Sequence, residues 1–268
     1  MTPTSPPSSW QNNPLSLRWV QWVRRGLAVW VTCWLASPVA AFGLCPGELE
    51  RAKATRQHID QEWPLRASGD EVTRFIQTLG VRLARFSAGG GEVPWRFAVV
   101  RNLAPNAFSI GAGYVYVTEG AVTFAQTEAE LAAIIAHELG HELAGHFCSQ
   151  AAYAESRGLF DVFSDSPPPD AHDVGSGSVR QTIDPRKEEQ ADQIAVAVLQ
   201  AAGYDPRALL QVARRLPAGG EAHQTDSRRI AALERILGTY HRSPPLSTPN
   251  TEAFTAIKRR LMGDAGLR

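Results

Sequence analysis

The sequence predicts an α+β fold, mainly helical, in which a small β-sheet lies beside one strongly apolar helix. Three observations carry this. Apolar residues recur at three- and four-residue spacing in several long segments. Two short runs rich in aromatic and β-branched residues follow the first of these segments. The helix after those runs carries His137-Glu138-Leu139-Gly140-His141 inside an otherwise apolar stretch.

Taken in order, residues 1–41 carry Arg18, Arg24 and Arg25, then the apolar run Gly26 to Ala36, then Ser37-Pro38-Val39-Ala40-Ala41. A basic stretch, an apolar core and terminal small residues predict a signal peptide, with a retained anchor as the alternative. Glu48 to Ala88 reads as helical, with Val72, Phe75, Ile76, Leu79, Val81 and Leu83 on its apolar face, and Gly89-Gly90-Gly91 breaks it. Trp95 to Val100 and Tyr114 to Thr118 read as strands.

Thr127 and Glu130 have the spacing of a capping box, which starts a helix that runs through Leu131, Ile134 and Ile135 into the histidine motif. Gly140 costs that helix about 1 kcal/mol relative to alanine, so something other than helix propensity favours it, and a strand packed close against the helix is one such reason. The Ser-, Gly-, Pro- and Asp-rich segment 156–182 reads as a mobile loop.

Asp184 reads as an N-cap and Pro185 as the first residue of a helix that stops at Gly203. Asp205-Pro206 opens another helix through Leu216, and Ser227 to Leu237 forms one more. Residues 243–268, with Pro244, Pro245 and Pro249, read as a tail that wraps or dangles.

Two histidines four residues apart lie one turn from each other on a helix face, so both reach one metal ion. A catalytic zinc takes three protein ligands and leaves a fourth position to water, from which Glu138 would take a proton as general base. The third ligand is sought in the Asp184 helix. There Glu188, Ala191, Asp192, Ala195 and Leu199 share the inward face, while Glu189 turns to solvent. Glu188 is therefore the expected ligand, and Asp192 is placed to orient a zinc histidine from behind or to pair with an arginine. His146 stands five residues beyond His141, off the ligand face, and reads as supporting or structural. Tyr114, Val115, Tyr116 and Val117 are the strand expected to pair with an extended substrate.

These residues resemble a known family. Asn106-Ala107-Phe108, Gly113 to Gly120 and Glu128 to Ala132, leading into the histidine motif, together with Glu188-x-x-Ala191-Asp192, are similar to the HtpX and BepA group of gluzincin metallopeptidases, over about Val93 to Leu237. The resemblance implies a zincin-like metallopeptidase domain over 42–242, of the periplasmic type without a helical-repeat domain, with one zinc per chain on His137, His141 and Glu188. It implies support from Asp192. It also aligns His223 and Arg229-Ile230 with a distal segment that approaches the metal, with Gln224 where that family has proline, so His223 and Arg229 are further catalytic candidates.

Composition narrows the partners. With 27 basic and 27 acidic residues and a formal net charge of zero, the chain has no nucleic-acid footprint. Of 3 cysteines, Cys33 lies in the export segment, leaving Cys45 and Cys148 as one disulfide or two free thiols. The resulting expectation is a zinc endopeptidase of the periplasm, or anchored in the inner membrane facing it. Its expected partners are unfolded or misassembled polypeptides, with peripheral membrane association and oligomeric state left open. A latent protease acting as a chaperone or assembly factor, or a hydrolase of cell-wall peptides, is the alternative.

Overall fold

A computed structural model describes residues 44–148, 184–216, 227–239 and 250–266. Contacts divide the chain into Met1–Ala41 and Phe42–Arg268, and every described residue lies in the second unit. The signal segment, Cys33, the loop 156–182 and His223 fall outside the described residues. Among the described residues, no helix is long and apolar enough to cross a membrane.

The first predicted helix is two. Helix α1 spans Glu48–Glu62 and helix α2 spans Glu71–Ala84. Pro64 forces the break, because proline disfavours helical backbone in the residue before it, and Trp63 is accordingly extended (φ −102°, ψ 143°). Asp70 restarts the chain, its carboxylate accepting from Val72 N at 2.9 Å.

Three strands follow: β1 (Arg96–Val100), β2 (Ala107–Ser109) and β3 (Tyr114–Thr118). The order is β1-β3-β2. β1 runs parallel to β3 from Arg96↔Tyr114 to Val100↔Thr118, and β2 runs antiparallel to it from Ala107↔Val117 to Ser109↔Val115. Period-two alternation splits the sheet between two cores. Phe97, Val99, Val115 and Val117 enter the larger core, with α2 and the later helices. Val100, Phe108, Tyr114 and Tyr116 enter the smaller one, with Ala52 and Ile59 of α1.

The remaining helices are α3 (Glu119–Phe124), α4 (Glu128–Leu143), α5 (Pro185–Ala201), α6 (Arg207–Arg215), α7 (Ser227–Gly238) and α8 (Glu252–Gly266). Helix α4 carries the histidine motif and is buried along nearly its whole length. Thr127 Oγ1 accepts from Glu130 N at 3.2 Å, while Glu130 reaches back to Gln126 N at 2.7 Å, one residue earlier than a standard capping box.

The segment predicted as a tail is anchored in its described part. Thr251 caps α8, and Phe254, Ile257 and Leu261, spaced by three and four, lie in the larger core at 1%, 1% and 2% exposure. The three prolines of 244–249 outweigh that short apolar stripe in a sequence reading. Glu128, at the start of α4, ties the segment down by accepting from Asn250's neighbour Thr251, through both its N–H and hydroxyl, and from Tyr204 Oη at 2.6 Å.

Candidate metal centre

Helices α4 and α5 pack face to face, and Gly140 explains how closely. A Cβ added there would lie 2.5 Å from the Ala191 carbonyl oxygen and 2.8 Å from Ala191 Cα. The close neighbour that requires glycine is therefore the backbone of α5 rather than a strand. The same approach brings Glu188, in the first turn of α5, against the two histidines. Asp184 caps that turn by accepting from Arg186 N at 2.9 Å, and Pro185 holds the first helical position.

His137 Nε2 lies 3.1 Å from His141 Nε2. Glu188 presents Oε2 at 3.3 Å from His137 Nε2 and Oε1 at 3.2 Å from His141 Nε2. All three side chains are buried. Donors about 2.1 Å from a tetrahedral zinc stand roughly 3.3–3.4 Å apart, so the three atoms already have the separations of that coordination shell. Two ring nitrogens facing each other at this distance also repel unless a proton or cation lies between them, and two imidazoles with one carboxylate are the donor chemistry zinc takes. These residues fit a zinc ion.

The flanking charges are placed around that triad. Asp192 Oδ1 lies 2.8 Å from His137 Nδ1, which leaves Nε2 of that ring for the metal. Arg229, from α7, donates to Asp192 through Nε at 2.9 Å and Nη2 at 2.8 Å, and its Nη1 lies 2.8 Å from Glu188 Oε2. Burial works against charge on His137 and Arg229 repels it, yet Glu188 and Asp192 hold its pKa above the ordinary histidine value. Burial lowers His141. Burial also opposes ionisation of Asp192, but Arg229 and His137 outweigh it and keep the carboxyl below the usual aspartate range. Glu189 is half-exposed, with Arg235 at 3.7 Å, as its outward position on α5 requires.

Glu138 is 2% exposed, and Ser109 Oγ donates to its Oε2 at 3.3 Å. Ser109 belongs to β2, a strand absent from the sequence reading because three residues between Pro105 and Gly111 leave no alternation to detect. A second contact fixes the same hairpin. Glu142, one turn after Glu138, accepts from Gly111 N at 2.8 Å and Gly113 N at 3.1 Å, and Glu48 of α1 accepts from Ala112 N at 2.9 Å. Gly111, Ala112 and Gly113 all have positive φ, which lets successive N–H groups converge on the two carboxylates. Burial drives the Glu142 carboxyl up to about 8, against the hydrogen bonds from Gly113 and Gly111. The Gly111-x-Gly113 spacing before a strand was the available sign of this turn.

β3 corrects the expected substrate strand. Tyr114 to Val117 have a neighbouring strand on both sides, so their backbone groups belong to the sheet ladders. Among the described residues, the outer strand on the metal-helix side is β2.

The sulfurs of Cys45 and Cys148 are bonded, with Cα atoms 5.2 Å apart, which joins the start of the described chain to the end of α4. Arg51 of α1 adds a hydrogen bond to the Phe147 carbonyl at 3.1 Å.

Comparison with known proteins agrees with this geometry. Residues 71–163 match the family model described as "Peptidase family M48". The chain is 27% identical over 181 residues to the mitochondrial metalloendopeptidase OMA1 of Schizosaccharomyces pombe (strain 972 / ATCC 24843), covering 62% of this chain and 53% of that protein. It is 29% identical over 224 residues to the beta-barrel assembly-enhancing protease of Yersinia pestis, covering 73% and 44%. It is 25% identical over 218 residues to the protein of that name from Escherichia coli (strain K12), covering 72% and 44%. The chain thus spans about half the length of these curated relatives. The histidine pair of the matched segment is set against a glutamate at metal-binding distance, and over residues 71–163 the chain is similar to peptidase family M48.

Proposed function

We propose that this protein is a zinc-dependent endopeptidase that hydrolyses peptide bonds in unfolded or misassembled exported proteins. The observation that carries the reading is the convergence of His137 Nε2, His141 Nε2 and Glu188 at zinc-ligand separations, next to the buried carboxylate of Glu138. Zinc, when bound there, polarises a carbonyl and acidifies water. Glu138, oriented by the Ser109 hydroxyl, takes the proton of the attacking water and delivers it to the leaving amine. Arg229 holds Glu188 and Asp192 in place from behind, and its positive charge balances the carboxylates of the buried site. An extended chain pairs along β2, where main-chain hydrogen bonds tolerate many sequences.

The relatives' names, metalloendopeptidase and beta-barrel assembly-enhancing protease, support hydrolysis of polypeptides, and the second links such a protease to protein assembly. Periplasmic location rests on the signal-like pattern of residues 18–41.

The test is cleavage of a reduced, unfolded protein by the zinc-loaded chain. Glu138→Gln is expected to lower the rate about 10²–10⁴-fold with zinc content unchanged. A variant as fast as the parent overturns the assignment of the base, and substrate bound but uncut by both forms favours the assembly-factor reading.

A further inference from the structure

The two histidines of the site are supported from behind by different groups. His137 has a carboxylate at its Nδ1. His141 has a second imidazole: its Nδ1 lies 2.9 Å from His146 Nδ1, and His146 Nε2 lies 3.2 Å from Gln190 Oε1. His146 reaches this position because α4 does not continue to it. The helix ends in a Schellman motif, in which His146 N donates to the His141 carbonyl at 3.1 Å and Gly145 N to the Glu142 carbonyl at 3.0 Å. Gly145, at φ 70°, turns the chain back, so a residue five positions on returns beneath the ligand ring.

The chain of contacts admits one arrangement of protons compatible with a metal on His141 Nε2. That nitrogen must be unprotonated, so the ring proton sits on Nδ1 and is donated to His146 Nδ1. His146 then carries its own proton on Nε2 and donates it to the Gln190 amide oxygen. The reverse amide orientation would make Gln190 the donor, place the His146 proton on Nδ1 and drive the His141 proton onto Nε2, where it blocks the metal.

Resting on the metal site of the proposed function, we propose that His146 and Gln190 are positioning residues that set the tautomer and ring orientation of His141 for zinc. Gln190 lies on α5, two residues from Glu188, so the helix that brings the third ligand also brings the group that selects the tautomer of the second. Outer partners of zinc histidines govern metal affinity about 10–100-fold. Asparagine at 146 offers a side-chain oxygen in place of Nδ1, and alanine offers none.

The experiment uses the full chain and zinc alone, with affinity read by competition with a chelator. His146→Ala is expected to weaken zinc binding about 10–100-fold, and His146→Asn to recover most of that loss. In the zinc-loaded parent, nitrogen-15 NMR of the histidines is expected to find His146 protonated on Nε2 and bare on Nδ1. Gln190→Leu is expected to loosen that preference and to weaken zinc with the fold intact. Zinc affinity unchanged in His146→Ala, or a proton on His146 Nδ1 in the loaded parent, overturns the proposal while leaving the metal site standing. A parent that binds no zinc overturns both.

Discussion

Gly140 is the residue on which the candidate metal centre turns. Alanine would add about 1 kcal/mol of helix propensity, but its Cβ would meet α5 backbone at 2.5 Å, and backbone cannot rotate away as a side-chain tip can. Overpacking of this kind costs roughly 1–3 kcal/mol, so the steric term wins. Gly140→Ala is therefore expected to lower the urea midpoint and, by pushing Glu188 away from the histidines, to weaken zinc. Denaturation and chelator competition on one preparation test both effects, and a more stable variant with unchanged zinc affinity would contradict the packing account. Leu139 and Leu143, buried on the same helix, anchor α4 in the larger core.

Among elements, the junction between α1 and α2 shows how charge places the sheet. Arg66 donates to Glu119, at the start of α3, at 2.6 Å and to both oxygens of Asp70 at 3.2 Å, and its backbone N–H bonds the Val99 carbonyl of β1. Burial opposes ionisation of Asp70, but Val72 N–H, Arg66 and Arg260 outweigh it and hold the carboxyl below its ordinary value of 3.8. A lowered folded pKa contributes stability that is complete above the unfolded value and disappears as pH falls through the folded one. Asp70→Asn keeps an acceptor for the cap and loses the charge. It is expected to cost about 1 kcal/mol near neutrality, with the gap to the parent closing as pH drops below 3.8. Urea unfolding at neutral and strongly acid pH measures it, and a gap that persists in acid would assign the loss to packing.

At the scale of the whole molecule, the cross-link Cys45–Cys148 closes a loop with a sequence separation of 103 residues, containing α1, α2, the sheet, α3 and α4. Loop closure of that length is worth about 2–5 kcal/mol, chiefly through the unfolded chain. Replacing both cysteines with serine is expected to lower stability by that amount while the proposed zinc ligands His137, His141 and Glu188 keep their affinity. Calorimetry with zinc titration separates the two. A large loss of zinc affinity would instead mean that the link holds Glu48, and through it the Gly111–Gly113 turn, in place for the site.

Local chemistry made much of this protein legible. His137, Glu138 and His141 are brought together by helical periodicity alone, and Asp184-Pro185 marks a helix start whatever surrounds it. Glu188 and Asp192 were readable because an acid on an apolar helix face needs a partner. The rest depended on contacts between segments far apart in the chain. Strand order is set by pairing between β1, β2 and β3, so the sequence could name Tyr114–Thr118 as a strand without revealing that it lies between two others. The neighbour of Gly140 proved to be a helix 51 residues downstream, and the return of His146 beneath His141 followed from a helix ending that only the positive φ of Gly145 decides. The sequence by itself determined the candidate donor residues and the helices that carry them, because each follows from spacing within its own element. Tertiary structure alone decided which edge flanks the site, what supports each ligand and where residues 250–266 pack, because those are choices of partner between elements.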